Sequence, residues 1–322
     1  NSYKLIKDIY KINPDHNTLN LIQSMNFLKQ GNFKEGWKLY DKSLQIKNNY
    51  YPNIPFWKGE DLENKKILVY EDQGIGDSIQ FSKFLFYLNK LCNDIRIEVR
   101  ESVIELFQTN ILNLKVYKKI SNLNSDCDYK ISFASLNNFF YENKNKKEKK
   151  LFKIEKETIL KWAKKFNSKK LKVGLTWSGN LHGVNEPYRS IQLDRLKKIF
   201  SLDCEFFCLQ KDIWDRDKKY FEDSKINYLG DNNFLEIAAI IENLDLVIST
   251  DTSTLHLSST LEKLTWGLIS FNPEWRWWKY NNPFFYKKLV EYKQDKFDDW
   301  DLVVNDVFKD LKKIIDKKNH HL

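Results

Sequence analysis

A strand–helix alternation that runs twice through the chain constrains its fold more than any other feature. From residue 51 onward, short apolar runs of strand length alternate with longer stretches of helical period. The first set has strands over 66–71 (KILVYE), 96–100 and 128–132, with a helix over 76–90. A charge run over 143–150 (NKNKKEKK) reads as an inter-domain loop, and a helix over 155–166 leads out of it. The second set has strands over 172–177, 205–209, 226–229, 246–249 and 265–269, with helices over 193–200, 234–242 and 253–261. A last helix over 300–315 puts Trp300, Val303, Val304, Val307, Phe308, Leu311 and Ile315 on one face. Alternation of this kind demands parallel sheets with helices on both faces. The expected fold class is therefore α/β, with two Rossmann-like lobes, 51–150 and 151–298, facing each other across a cleft, and a C-terminal helix and tail over 299–322.

Residues 1–50 lack strands. Within them, 14–43 resembles a tetratricopeptide repeat. After the break at Asn13-Pro14-Asp15 comes a helix, then Gly31 at a tight turn, then a second helix with Gly36 where helices must approach and Tyr40 one turn on. An ordinary helical hairpin is the alternative. Residues 1–12 read as the last helix of a preceding repeat, and a start at Asn1 suits a fragment of a longer protein. So short a segment cannot bury a solenoid core, so it either packs on the next lobe or continues upstream.

Bulk properties exclude several classes. Hydrophobic residues make up 42% of the 322, which argues against disorder. No apolar run is long enough to cross a membrane as a helix. The net charge of +9 invites a nucleic-acid partner, yet only six of the 53 basic residues are arginine and no zinc-finger or RNA-binding signature accompanies them. Lysines spread over every segment read as solvated surface. Cys92, Cys127, Cys204 and Cys208 fit neither a disulfide framework nor a zinc site, which suits a reducing cytoplasm, with attachment to the inner-membrane surface left open.

Ligands of open α/β sheets bind outside the carboxyl ends of the strands. Five of the ten glycines lie at such ends here: Gly74, Gly76, Gly179, Gly183 and Gly230. The sharpest segment is 249–256 (STDTSTLH), where a strand ends, hydroxyl residues fill the turn and a helix begins. Free N–H groups and the positive dipole end of that helix suit a diphosphate. Thr252, Ser253 and Thr254 add hydroxyls, Asp251 suits a helix cap or a sugar hydroxyl, and His256 sits one turn in. A plain helix cap is the alternative. Asn180 and His182 follow another strand end, and Gln210 with Lys211 a third.

The first turn, 74–78 (GIGDS), makes a poor dinucleotide fingerprint, because Ile79 stands where a third glycine belongs and Asp77 would face the pyrophosphate. A carboxylate there suits a general base on the cleft, or a helix cap. Asp126-Cys127-Asp128 offers two carboxylates without a third oxygen ligand, and Asp215-Arg216-Asp217 is weaker, so no metal is expected. Arg189 and Arg276 stand out in a lysine-rich chain, because guanidinium binds phosphate or carboxylate in two-pronged fashion. Arg276 lies among Trp275, Trp277 and Trp278, which also suits core packing between lobes.

In order, 70–81 (YEDQGIGDSIQF), 173–180 (VGLTWSGN), 189–191 (RSI), 249–257 (STDTSTLHL) and 275–277 (WRW) resemble the tetratricopeptide-linked bacterial glycosyltransferases related to lipopolysaccharide heptosyltransferases. The chain departs from that pattern at Asn185-Glu186-Pro187 and Glu262-Lys263-Leu264. The resemblance implies the GT-B fold and inverting, metal-independent transfer from a nucleotide-diphosphate sugar to a hydroxyl of a protein or glycan. It implies Asp77 as catalytic base, Asp251, Thr252 and His256 as the donor motif, and Arg189 on the donor phosphates. Lys211, with Asn180, His182, Gln210 and Ser253, would complete the donor side, and Gln73, Gly74, Gly76 and Arg276 the acceptor side. The helical segment would dock a protein acceptor. Two other classes compete: a non-catalytic adaptor built on a degenerate transferase, and a nicotinamide oxidoreductase using Glu101, which the missing glycine counts against.

Overall fold

A computed structural model describes residues 16–47, 51–119, 126–143, 150–166, 168–180, 186–278 and 286–320. Lobe one holds four parallel strands, β1 (Lys66–Tyr70), β2 (Asp94–Val99), β3 (Lys115–Lys118) and β4 (Tyr129–Ser132), in the order β3-β2-β1-β4. Lobe two holds six parallel strands, β5 (Leu171–Thr176), β6 (Cys204–Cys208), β7 (Asn227–Tyr228), β8 (Leu246–Thr250), β9 (Thr265–Ile269) and β10 (Leu289–Lys293), in the order β10-β9-β8-β5-β6-β7. Counted from its own first strand, lobe two therefore runs 3-2-1-4-5-6, the order of the dinucleotide-binding fold. The chain is α/β with two parallel sheets, as the alternation demands.

Central strands match the sequence expectation because burial on both faces makes them continuous apolar runs: β1, β8 and β9 are buried along almost their whole length. The sequence reading lacks β3 and β10. Both are edge strands, and their sequences, KVYK and LVEYK, mix charge with half-exposed apolar residues. The helix expected over 76–90 is broken: α-helix over Ile75–Phe81, a 3-10 turn over Ser82–Phe84, then Leu85–Leu88. The helix expected over 193–200 is wound as 3-10 over Leu193–Ser201. Trp300–His320 lays its apolar face on the outer side of lobe two, with Trp300, Val303, Val304, Val307, Leu311 and Ile315 buried there. Most of the expected charged loop, 144–149, lies outside the described residues.

Ahead of the lobes, α1 (Asn17–Lys29) and α2 (Phe33–Lys47) form a helical hairpin. Gly31 turns the chain at φ 81°, a conformation that side chains with a Cβ rarely adopt. A Cβ on Gly36 would lie 2.7 Å from the Leu28 side chain, so the two helices touch where only glycine fits. Residues 1–15, including the Asn13-Pro14-Asp15 break, lie outside the described residues. The hairpin is not free-standing. Trp37, 1% exposed, packs edge-on against Phe81 of lobe one and Trp275 of lobe two. One continuous core runs from Leu28, Trp37 and Leu44 through the inner face of lobe one to Ala238–Ile241 and Leu257 of lobe two. Among the described residues, no helix is long and apolar enough to cross a membrane.

Candidate active site

Each sheet reverses its strand order at one point, and a crevice opens there. In lobe one the reversal lies between β1 and β4, and in lobe two between β5 and β8. The turn after β1 carries Asp72 to Asp77, and the turn after β8 carries Asp251 to Ser253, so both polar turns sit where topology predicts ligands. Two helices start from them: α3 (Ile75–Phe81) and α6 (Ser253–Thr260); α4 (Lys156–Ala163) and α5 (Phe234–Glu242), which pack on each other, lie between them in the chain. They abut across the lobe junction. A Cβ on Gly76 would come within 2.6 Å of the His256 ring, which explains a glycine there without any phosphate contact.

Asp77 stands at the third position of α3 and is not its N-cap; that place belongs to Gly74. One carboxylate oxygen accepts the Gly74 amide at 3.0 Å, and the other accepts the Arg276 guanidinium of lobe two. Arg276 is almost fully buried and also lies 3.4 Å from Glu274. Burial works against its charge, but Asp77, Glu274 and Asp251 together hold it protonated. Arg276 is thus the clasp between the lobes, and Gly74 and Gly76 shape the turn that receives it.

His256 is buried between the lobes, where it stacks on Trp277. Burial lowers its pKa, and the Arg276 charge lowers it further against the pull of Asp251. A neutral ring suits its neighbours: the Tyr286 hydroxyl lies 2.7 Å from Nδ1, and Nε2 faces Asp251 at 3.5 Å. Both ring nitrogens are engaged by protein groups, so a direct donor contact would require one of them to turn away. Burial would raise the pKa of Asp251, but His256, Arg276 and Arg189 outweigh it and hold the carboxylate below its ordinary range. Thr252 is the N-cap residue of α6, yet its hydroxyl pairs with Ser249 at 3.0 Å and leaves the helix amides uncapped by side chains. Ser253 opens the helix half-buried.

Gln210 is engaged by backbone through its amide. It is buried, and its amide oxygen accepts from the backbones of Trp177 and Ser178 while its nitrogen donates to the Ser178 and Asp212 carbonyls. It shapes the turn after β5 and has no capacity left for a donor. Asn180 and Lys211 are exposed at neighbouring strand ends, and Arg189 is half-buried. His182 lies outside the described residues. The Asp126 and Asp128 carboxylates are taken up by Arg96 and Lys66 and by the Lys66 amide and Lys65. No group of three His, Cys, Asp or Glu able to hold a metal occurs among the described residues.

A cleft of about 780 Å³ opens beside the two turns. Arg189, Asp251 and Glu274 line it from lobe two, and Asp72 and Gln73 from lobe one. The third wall is the hairpin, through Leu21, Met25, Lys29, Tyr40 and Leu44. Asp72 and Tyr40 are the residues that the sequence reading left out of the site. Asp72 stands two residues after β1, the signal that could have found it; nothing in the sequence shows that Tyr40 reaches it.

No protein-family model matches the sequence, and no curated protein matches it. Solved structures do. A glycosyl transferase family 9 protein from Veillonella parvula is 13% identical, with a TM-score of 0.59 over 80% of this chain and 99% of that one. ADP-heptose lps heptosyltransferase II from E. coli is 9% identical, with a TM-score of 0.53 over 79% and 99%. E. coli heptosyltransferase WaaC with ADP is 8% identical, with a TM-score of 0.51 over 79% and 99%. At such identities the likeness establishes the fold, the two-lobed GT-B architecture, into which those chains fit almost end to end.

Proposed function

We propose that this chain is a glycosyltransferase that moves a sugar from a nucleotide-diphosphate sugar to an acceptor hydroxyl, by inversion and without a metal. The observation that carries the reading is the meeting of both strand-end turns at one cleft, lined by Asp72 and Gln73 of lobe one and by Asp251 and Arg189 of lobe two; Asp77 stands in the same turn as Asp72, and α6 starts two residues after Asp251. In this reading the donor diphosphate sits on the Ser253 and Thr254 amides, where the helix dipole favours negative charge. Thr252 and Ser253 add hydroxyls, Arg189 and Lys211 neutralise the phosphates, and Asn180 follows the neighbouring strand β5. Asp251, oriented by His256, takes a sugar hydroxyl. Asp77 leaves Arg276 and takes the proton of the acceptor hydroxyl. The acceptor oxygen bonds to the anomeric carbon as the bond to the diphosphate breaks, and the nucleoside diphosphate departs. A single in-line displacement inverts the centre. Positioning and stabilisation of the leaving charge supply most of the rate.

ADP is the first ligand to test, since the similar E. coli heptosyltransferase WaaC was solved with ADP and another similar protein is an ADP-heptose lps heptosyltransferase. Calorimetric titration of the whole chain with ADP is expected to give the same affinity with and without EDTA. Loss of binding in EDTA would overturn the metal-free reading, and failure of every nucleoside diphosphate to bind would overturn the transferase reading itself.

A further inference from the structure

We propose that the helical hairpin is part of the active site: Tyr40 of α2 holds Asp72 in place to receive a hydroxyl of a saccharide acceptor in the cleft that the hairpin walls. The proposal rests on the transferase reading above and names the acceptor side of it.

Three independent placements support it. Asp72 follows β1 at the reversal point of lobe one, next to β4, where an open α/β sheet presents its ligand crevice. Second, the Tyr40 hydroxyl donates to the Asp72 carboxylate at 2.7 Å and accepts from the Gln73 amide, so one buried phenol from the hairpin orients both polar residues of the turn. Tyr40 is itself 3% exposed and fixed edge-on against Trp37, which is a rigid mount rather than a surface contact. Third, Asp72 lines the same cleft as Arg189 and Asp251, so a group bound to it would face the donor turn.

The shape of the cleft selects the acceptor class. Its volume falls in the range of compact ligands, ~300–1,000 Å³. An extended peptide would need a sheet edge or a long groove. The lining combines polar Asp72, Gln73, Asp251 and Asn272 with aromatic Trp275 and Phe271. Carboxylate and amide acceptors matched to hydroxyls, with ring faces for C–H surfaces, are what a sugar ring offers partners for. Hydrogen bonds from Tyr40, Ser132 and the Ala134 amide hold the Asp72 carboxylate in a fixed orientation at the cleft. Burial raises its pKa to about 6 and the Asp77 charge adds to this, while hydrogen bonds from Tyr40 and Ser132 pull the other way; Asp41 lies close enough to interact as well.

The sequence contains a single methionine, Met25, and it lines the cleft. A methyl-13C methionine label therefore reports occupancy at one position. The whole chain would be titrated with methyl glycosides of glucose, galactose, mannose and N-acetylglucosamine, and separately with a serine-containing peptide, while calorimetry follows ADP. The expected result is a saturable shift of the Met25 signal by at least one glycoside. Asp72→Asn is expected to weaken that binding roughly tenfold or more, and Tyr40→Phe about three- to tenfold, each leaving ADP affinity unchanged. Tyr40→Phe keeps the ring packing but removes a donor that favours the ionised carboxylate. The pH midpoint of glycoside binding should therefore move upward in that variant, which a merely structural role would not cause. ADP binding without any glycoside shift overturns this proposal and leaves the transferase reading standing. A shift by the peptide alone overturns the saccharide assignment. Absence of both ADP and glycoside binding overturns the two together.

Discussion

Asp77 accepts from the Gly74 amide and from Arg276 at once, so its replacement tests more than a proton transfer. In Asp77→Asn the new amide can still serve Gly74, but its NH2 then faces the guanidinium, and a buried charge loses its best partner. We expect stability to fall by ~1–3 kcal/mol, less than for a fully buried pair because Glu274 remains near Arg276. Transfer should fall by about 10²–10⁴ as the base is lost, with donor affinity nearly unchanged. Thermal unfolding, calorimetry and single-turnover transfer separate these effects; turnover within a few-fold of the parent would remove Asp77 from the role of base. The position of Asp77 was legible in the sequence because it follows a strand. Its partner was not: Arg276 lies 199 residues away, and no local pattern encodes a pair formed by two lobes docking. The same holds for Gln210, whose place at a strand end suggested a ligand contact while its amide is spent on backbone.

At the scale of elements, the contact between α3 and α6 decides how the two lobes meet. Gly76→Ala would drive a methyl into the His256 ring at 2.6 Å, against a helix and a ring that are both buried. Overpacking of this kind costs ~1–3 kcal/mol. The melting temperature should fall, and ADP affinity with it, because α6 carries the proposed diphosphate site; an unchanged melting point would show that the junction is loose. The alternation of strand and helix was legible because interior strands are apolar throughout. The edges β3 and β10 were not, since half-exposed strands lose that signature. Gly31 and Gly36 announced a tight helical hairpin. That the hairpin would form a cleft wall was invisible, because its contacts are made by Trp37 and Tyr40 with residues far along the chain.

Across the whole molecule, several titrating groups respond to burial, among them three carboxylates in the hairpin and lobe one. Burial raises Glu98 and Asp41 to about 7 and Asp72 to about 6. For each the folded pKa exceeds the unfolded value near 4, so the native state binds more protons between those limits. The stability that this contributes is full below about pH 4 and is lost as pH rises through 6 to 7. Glu98→Gln removes one such group. Its melting temperature should equal the parent's below about pH 4 and exceed it by a growing margin, several °C by pH 8; a difference independent of pH would contradict the shifted carboxyl. The single core that threads hairpin and both lobes has a further consequence for motion. Swinging the lobes wide apart would pull Trp37 from Trp275 and expose the row from Ala238 to Ile241. Close-packed interiors resist such tearing and yield by small slides of whole helices. On the transferase reading, a cleft walled by so continuous a core would choose its substrates as a gauge does, by width, rather than by closing on them.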